Sequence, residues 1–414
     1  MLPRARAVSI STLLLAVALL ALLAPAAASA RPSLHQRLAA ALRIQHVSPA
    51  ASGATVVDLV TGKTIFAHNA SRSLEPASNE KLAITYAALT ALGPSFRIET
   101  DVLGEGDQDG AVWHGDLVLD GYGDPSLSFA KLASLARQVK AAGIDRVAGR
   151  VLGDESWFDT ERTVLGWRAD FYLNESPPLS ALIVNRGWNG HATTTQPALA
   201  ATQRFRADLV KAGVRVTGKA ALGVAADDAV VLGSVVSPPV STLVRFMDRY
   251  SDNFTAEMLL KEVGAVQGEG GTTADGVGVE VGLLAAAGVP LQGVRLVDGS
   301  GLSMLDRWTS KAIVSLLRVM WDDPGVRPAL LASLPVAGHT GTLAHRMTTG
   351  PARGLVHAKT GTTQEASALS GFVGDRYAFS ILENGFPLWW TYARRSQDRF
   401  ATVLAGAAAA AAGG

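Results

Sequence analysis

Apolar residues recur at helical spacing over residues 34–44 and again over 81–92, the second run preceded by Pro76 and ended by Gly93. Between them, residues 54–60 and 64–67 alternate around Thr61-Gly62-Lys63, which predicts a β-hairpin. Ser78 therefore falls at a helix N-terminus, where unpaired backbone N–H groups and the helix dipole favour negative charge. From about residue 98 to 238 the texture changes to Gly, Asp and short strand-like runs such as 115–119 and 146–152. This predicts an inserted all-β or mixed domain. Helical periodicity returns at 241–250 and 254–263, leaving Ser251-Asp252-Asn253 at a junction between helices. Further helices are expected over 274–287 and over 310–321 with Thr309 as N-cap. Residues 355–362, 368–373 and 377–383 suit an antiparallel meander. A last helix near 396–404 should precede a frayed Ala/Gly tail. The N-terminal hairpin and the C-terminal strands are expected to share one sheet flanked by helices. The fold class is then α/β and multi-domain, with residues 31–97 and 239–414 forming one unit and 98–238 a large β-rich insert.

The first thirty residues have the form of an export signal. Arg4 and Arg6 precede an apolar stretch at 11–23, and Ala28-Ser29-Ala30 is a small-residue cleavage site. That stretch falls short of the about 20 residues of a membrane span. The mature chain is expected to start near Arg31 and to work outside the cytoplasm, periplasmic or extracellular. Cysteine is absent, which excludes disulfides and thiol chemistry, and 48% hydrophobic residues can supply a core. A net charge of +1 without long basic runs argues against nucleic acid. The 8 histidines show no ligand spacing, so no metal or other cofactor is expected.

Three short motifs carry the chemistry: Ser78-Asn79-Glu80-Lys81, Ser251-Asp252-Asn253 and Lys359-Thr360-Gly361. Their order matches the signature of penicillin-binding proteins and class A β-lactamases. Residues three apart on a helix face the same way, so the Lys81 amine can reach the Ser78 hydroxyl and act as base if burial lowers its proton affinity. Ser251 would bridge Lys81 and the leaving nitrogen, Asn253 would bind substrate amides, and Asp252 would fix its own loop. Lys359 with the Thr360 and Thr362 hydroxyls would bind a terminal carboxylate, while Gly361 lets substrate backbone come close. The backbone N–H groups of Ser78 and Thr362 would form the oxyanion hole. Two near-copies need disposal. Ser128-Phe129-Ala130-Lys131 lies in the insert and is better explained as a helix-start serine with an exposed lysine. His339-Thr340-Gly341-Thr342 lacks the cation and suits a loop.

Beyond these motifs the chain resembles the class C low-molecular-mass penicillin-binding proteins, the D-alanyl-D-alanine carboxypeptidase/endopeptidase family (peptidase family S13). The resemblance rests on Pro76-Ala77-Ser78-Asn79-Glu80-Lys81-Leu82 and Gly121-Tyr122-Gly123-Asp124-Pro125-Ser126-Leu127. It extends to 151–159 ending in Trp157-Phe158-Asp159, to Asp298-Gly299-Ser300-Gly301-Leu302-Ser303, and to Leu334-Pro335-Val336-Ala337-Gly338 with Gly341-Thr342-Leu343. It implies a penicillin-recognising, transpeptidase-like domain split by an insertion. Peptidoglycan stem peptides and β-lactams are the implied partners, and cleavage of D-Ala-D-Ala termini or of cross-links the implied activity. The separation of about 170 residues between Ser78 and Ser251 implies that a third domain is reduced or missing.

The resemblance also implies a side-chain pocket in which Asp154, Leu302 and Met304 take part. Members commonly have Arg where this chain has Met304, with Arg307 the nearest cation in sequence. A thioether cannot neutralise a buried carboxylate, so an amidated diaminopimelate, or a side chain lacking that carboxylate, is expected unless Arg307 reaches the pocket. A β-lactamase would need a deacylating base. Glu175 before Pro177-Pro178 is similar to such a segment but lies far from Ser78 in sequence. A catalytically inactive wall-binding protein would not need the full set of motif residues. Phe386-Pro387-Leu388-Trp389-Trp390 is expected to pack a helix onto the sheet, the alternative being peripheral membrane contact.

Overall fold

A computed structural model describes Met1 and residues 32–412, so the export signal expected at 1–30 lies, apart from Met1, outside the described residues. The hairpin strands β1 (Ser52–Asp58) and β2 (Thr64–His68) join the C-terminal strands β10 (Val356–Thr362), β11 (Ala366–Val373) and β12 (Tyr377–Asn384). They form one antiparallel sheet in the order β10-β11-β12-β1-β2. Side chains alternate across the pleat, and both faces are covered. Tyr377, Phe379 and Ile381 of β12 pack with Leu38 of helix α1 (Leu34–Leu42) and with Phe400 and Leu404 of the C-terminal helix. Ala378 and Leu382 face the opposite layer. That layer contains α2 (Lys81–Ala87), α5 (Val240–Tyr250), α6 (Asn253–Gln267), α7 (Thr273–Ala286), α8 (Ser310–Asp322) and α9 (Arg327–Ser333). Thr309 caps α8 by accepting the Ala312 N–H, as its position predicts.

The other strands, β3 (Glu99–Asp109) to β9 (Val230–Val236), build a second sheet, ordered β7-β5-β4-β3-β9 with β6 on β4 and β8 on β6. Here β4 is Val112–Gly121, β5 Arg146–Val147, β6 Val151–Asp154, β7 Arg215–Val216 and β8 Ala220–Leu222. Of the two sequence readings, the mixed one holds. Helices α3 (Phe129–Ala141) and α4 (Pro197–Lys211) lie along the chain between strands that pair in parallel, the geometry that helical crossovers impose. Leu132, Leu135 and Val139 of α3 meet Phe205 and Leu209 of α4 in one core with Leu117 and Leu119. Short strands with few alternating positions give a weak periodic signal, and α4 was not foreseen.

The last helix, α10 (Trp390–Ala412), departs from expectation. It starts six residues early and continues through the alanines expected to fray, because alanine is the best helix former and Ala405 is fully buried against the sheet. Leu388 is buried, whereas Phe386 and Trp389 are 84% and 54% exposed, so the aromatic cluster packs only in part. No helix among the described residues is long and apolar enough to cross a membrane.

Phe400 is fully buried and meets Phe66 edge-on at 5.4 Å, tying α10 to β2. Phe400→Ala should cost about 3–4 kcal/mol, read as a lowered denaturation midpoint by circular dichroism. A loss within error of zero would show that α10 does not anchor the sheet.

Candidate active site

The first motif is a short 3₁₀ turn, Ala77–Glu80, that runs into α2. Its four side chains go to four places. Ser78 faces a cavity, and the Asn79 amide donates to the Lys359 carbonyl of β10 at 3.1 Å. Glu80 is buried and accepts the Trp308 indole N–H at 2.7 Å, its carboxyl held well above the usual range by burial and by neighbouring Glu280 and Asp298. Lys81 is fully buried. Its ammonium donates to Ser78 Oγ at 3.1 Å, Asn253 Oδ1 at 2.8 Å and the Ser300 carbonyl at 2.5 Å. Those three acceptors use all three of its protons. Burial lowers the Lys81 pKa to about 8, against the pull of Asp298, Glu257, Asp252 and Asp248.

Ser300 belongs to the Asp298–Ser303 loop, whose shape comes from buried carboxylates. Asp298 accepts the N–H groups of Gly301 at 2.6 Å and Ser303 at 2.7 Å and the Trp167 indole at 2.8 Å, while Glu257 accepts the Ser300 N–H at 2.8 Å. Gly301 has φ +77°, and a Cβ there would fall 2.0 Å from the Ala77 carbonyl oxygen. Only glycine lets this loop approach the serine turn.

Ser251 ends α5 in the left-handed region, with φ 58°. Its hydroxyl accepts a hydrogen bond from Lys359 Nζ at 2.8 Å rather than from Lys81. Asp252 caps α6 through the Thr255 N–H at 2.8 Å and pairs with Arg186 at 2.7 Å, so it fixes its loop as the motif suggests. Asn253 holds Lys81 with its oxygen and donates to the Glu175 carbonyl at 3.0 Å. Lys359 is fully buried, and its other contact is the Thr360 carbonyl at 2.9 Å. Burial and the Lys81 cation lower its pKa to about 7, with Asp248 opposing.

Ser78, Ser251, Asn253, Thr360, Gly361 and Thr362 share the wall of a cavity of about 620 Å³ with Gly301 and Leu302. Strand β10 is at the edge of its sheet. Val356 and Ala358 donate to Ala352 and Pro335 on the side away from β11, and by strand alternation Thr360 and Thr362 turn their N–H groups to the same side. Gly361 serves a different neighbour from the one expected. A Cβ there would meet the Pro76 carbonyl oxygen at 2.8 Å and Ser78 N at 3.1 Å, so the missing side chain makes room for the serine turn.

Of the expected residues, Lys81 and Lys359 are buried and do not line this wall, and Asp154 and Met304 are not on it either. Asp154 is 3% exposed, and its carboxylate oxygens accept the N–H groups of Ser156 and Ala225, each at 2.7 Å. Met304 lies outside the cavity, its N–H bonded to the Gly166 carbonyl at 3.1 Å. Arg307 does not line the cavity either; its Nη1 donates to the carbonyls of Met304 and Asp306. The substrate preference argued from Met304 therefore has no footing in the geometry.

Conversely, Glu175, Thr342, His345, Arg346 and Arg394 line the cavity, although the motifs do not point to them. Thr342, in the near-copy assigned to a loop, occupies a 3₁₀ turn and bonds Thr360 Oγ1 at 2.8 Å. Glu175, distant in sequence, is brought in by a largely irregular stretch of the insert. Its neighbours Trp167 and Arg186 grip Asp298 and Asp252. The other serine–lysine pair behaves as its helix-start reading requires. Ser128 caps α3, but Lys131 is ion-paired to Asp124 at 2.7 Å instead of exposed.

Comparison with known proteins gives the same answer from outside the site. The family model for the D-Ala-D-Ala carboxypeptidase 3 (S13) family matches residues 34–196 and 189–405. A D-alanyl-D-alanine carboxypeptidase of Actinomadura sp. is 34% identical over 88% of this chain and 83% of its own length. Carboxypeptidase DacB of Mycolicibacterium smegmatis is 31% identical over 80% and 75%. The fold is that of penicillin binding protein 4 from Haemophilus influenzae, with a TM-score of 0.78 at 22% identity over 89% of this chain and 98% of that one. The chain belongs to the D-Ala-D-Ala carboxypeptidase 3 (S13) family.

Proposed function

We propose that this protein is a serine DD-peptidase that cleaves the terminal D-Ala-D-Ala bond of peptidoglycan stem peptides through a Ser78 acyl-enzyme. The observation that carries the reading is the 3.1 Å contact between Lys81 Nζ and Ser78 Oγ on a wall shared with Ser251, Asn253, Thr360 and Thr362. When Lys81 is neutral, the Ser78 hydroxyl reverses this contact and donates to it. Ser78 Oγ then attacks the penultimate D-Ala carbonyl carbon as its proton passes to Lys81. The N–H groups of Ser78 and Thr362 receive the developing oxyanion. Collapse breaks the C–N bond, and the leaving amine takes a proton from the Ser251 hydroxyl, which Lys359 resupplies across 2.8 Å. Before deacylation Lys81 loses to solvent the proton it took from Ser78, and Lys359 regains one. Neutral Lys81 then accepts the proton of the water that attacks the ester and returns it to Ser78 Oγ as the ester bond breaks. A β-lactam follows the same first step and stays attached to Ser78.

In this reading residues 31–97 and 239–414 are the peptidase unit, 98–238 supports its wall, and the work is done outside the cytoplasm at the cell wall.

Release of D-Ala from a D-Ala-D-Ala-terminated pentapeptide tests the assignment. Ser78→Ala should abolish it and Ser128→Ala should leave it unchanged; the reverse pattern would reject Ser78. Gly361→Ala probes the packing of strand against turn. Displacing Ser78 by several tenths of an ångström should slow penicillin acylation about 100-fold with the fold intact. Undiminished acylation would mean that the turn tolerates the extra methyl group.

A further inference from the structure

A carboxypeptidase substrate differs from an internal peptide bond in having a free carboxylate three bonds beyond the scissile carbonyl. Lys359, the cation that the motif offers for it, is fully buried, does not line the cavity, and donates to the Ser251 hydroxyl and the Thr360 carbonyl. The lysine is thus an internal donor, and the carboxylate needs another partner.

The cavity wall provides two guanidinium groups. Arg346 is committed, at 2.7 Å from Asp398 and 3.1 Å from Gln397, with its side chain 14% exposed. Arg394 has no acidic group within ion-pair distance among the described residues, and it donates to Thr362 Oγ1 at 3.4 Å. Its position is built. One turn earlier on α10, the Trp390 indole donates to the Thr363 carbonyl at 2.7 Å, and three residues later Gln397 donates to Ser367 at 2.9 Å and Glu383 at 3.0 Å. Both ends of this turn are therefore pinned to the sheet that carries Thr362.

We propose that Arg394 is a specificity-determining residue that receives the free α-carboxylate of the leaving D-Ala together with the Thr360 and Thr362 hydroxyls. The distances agree. If the scissile oxygen occupies the hole at the Thr362 N–H, the carboxylate carbon lies about 4 Å from the scissile carbon, next to the Thr362 side chain. A planar guanidinium suits a carboxylate better than an ammonium because it can donate two parallel hydrogen bonds. Arg346, neutralised by Asp398, does not compete for the ligand. This inference rests on the serine-peptidase reading above.

The test uses the full-length protein and two pentapeptides that differ only at the C-terminus, one ending in free D-Ala and the other in its carboxamide. Wild type should prefer the free acid. Arg394→Gln should lower kcat/KM for the acid roughly 10- to 100-fold, the worth of one charge-assisted contact, and bring the acid-to-amide ratio towards one. Arg394→Lys should recover part of that ratio, which separates loss of charge from loss of fold. Arg395→Gln, one residue along and off the cavity wall, should leave the ratio as in wild type. An unchanged ratio in Arg394→Gln overturns the proposal while leaving the peptidase reading in place. If wild type hydrolyses neither peptide, the peptidase reading itself fails and this inference falls with it.

Discussion

The structure depends on one buried ammonium group. Lys81 sits in the core with its three protons directed to a serine hydroxyl, an asparagine oxygen and a backbone carbonyl. A lysine sealed from water loses proton affinity, and nearby carboxylates can only partly restore it. Each acceptor comes from a different segment, so the serine turn, the α5–α6 junction and the Asp298–Ser303 loop must all be correct for the amine to be held. Glu257 and Asp298 shape that third segment and so act on Lys81, while Gly301 also lets it pack directly on the serine turn at Ala77. A similar coupling joins Lys359 to Ser251 and, through charge repulsion, to Lys81.

The insert between the first two motifs is part of the site. Trp167 bonds Asp298, the Gly166 carbonyl bonds the Met304 N–H, Arg186 pairs with Asp252, and the Glu175 carbonyl accepts from Asn253. These contacts join a stretch with little regular structure to two of the three segments that hold Lys81, the α5–α6 junction and the loop that begins at Asp298. The seven-stranded sheet behind it gives that stretch a rigid base. Removing the insert would therefore disturb Lys81 and Asn253 even if the five-stranded sheet survived.

Much of this was legible in the sequence for identifiable reasons. The three motifs converge because a 3₁₀ turn, an inter-helix junction and an edge strand are all local structures with strong residue signatures. Long periodic helices such as α5 and α8 fell close to their expected bounds, as did the meander strands. What escaped was non-local. The Ser300 carbonyl has no side-chain signature, and Arg394 is one basic residue among several on the exposed face of α10. Thr342 sat in a sequence with a plausible loop explanation. Asp154 shows the opposite case: an acidic residue in a suggestive position is buried with each carboxylate oxygen bonded to a backbone N–H. Ser251 and Lys359 do meet, but which atoms each of them bonds depends on distances of a few ångströms that spacing along the chain does not encode.

The account stands on the claim that burial makes Lys81 a base near neutral pH. Its neutral fraction should rise with pH through about 8 and be nearly complete two units above that. NMR titration of the Lys81 side chain, its resonance identified by its loss in Lys81→Met, measures this directly. The account predicts a midpoint near 8. A midpoint at the ordinary lysine value of about 10.4 would contradict it, because the amine would then be charged throughout the working range and Ser78 would need another base.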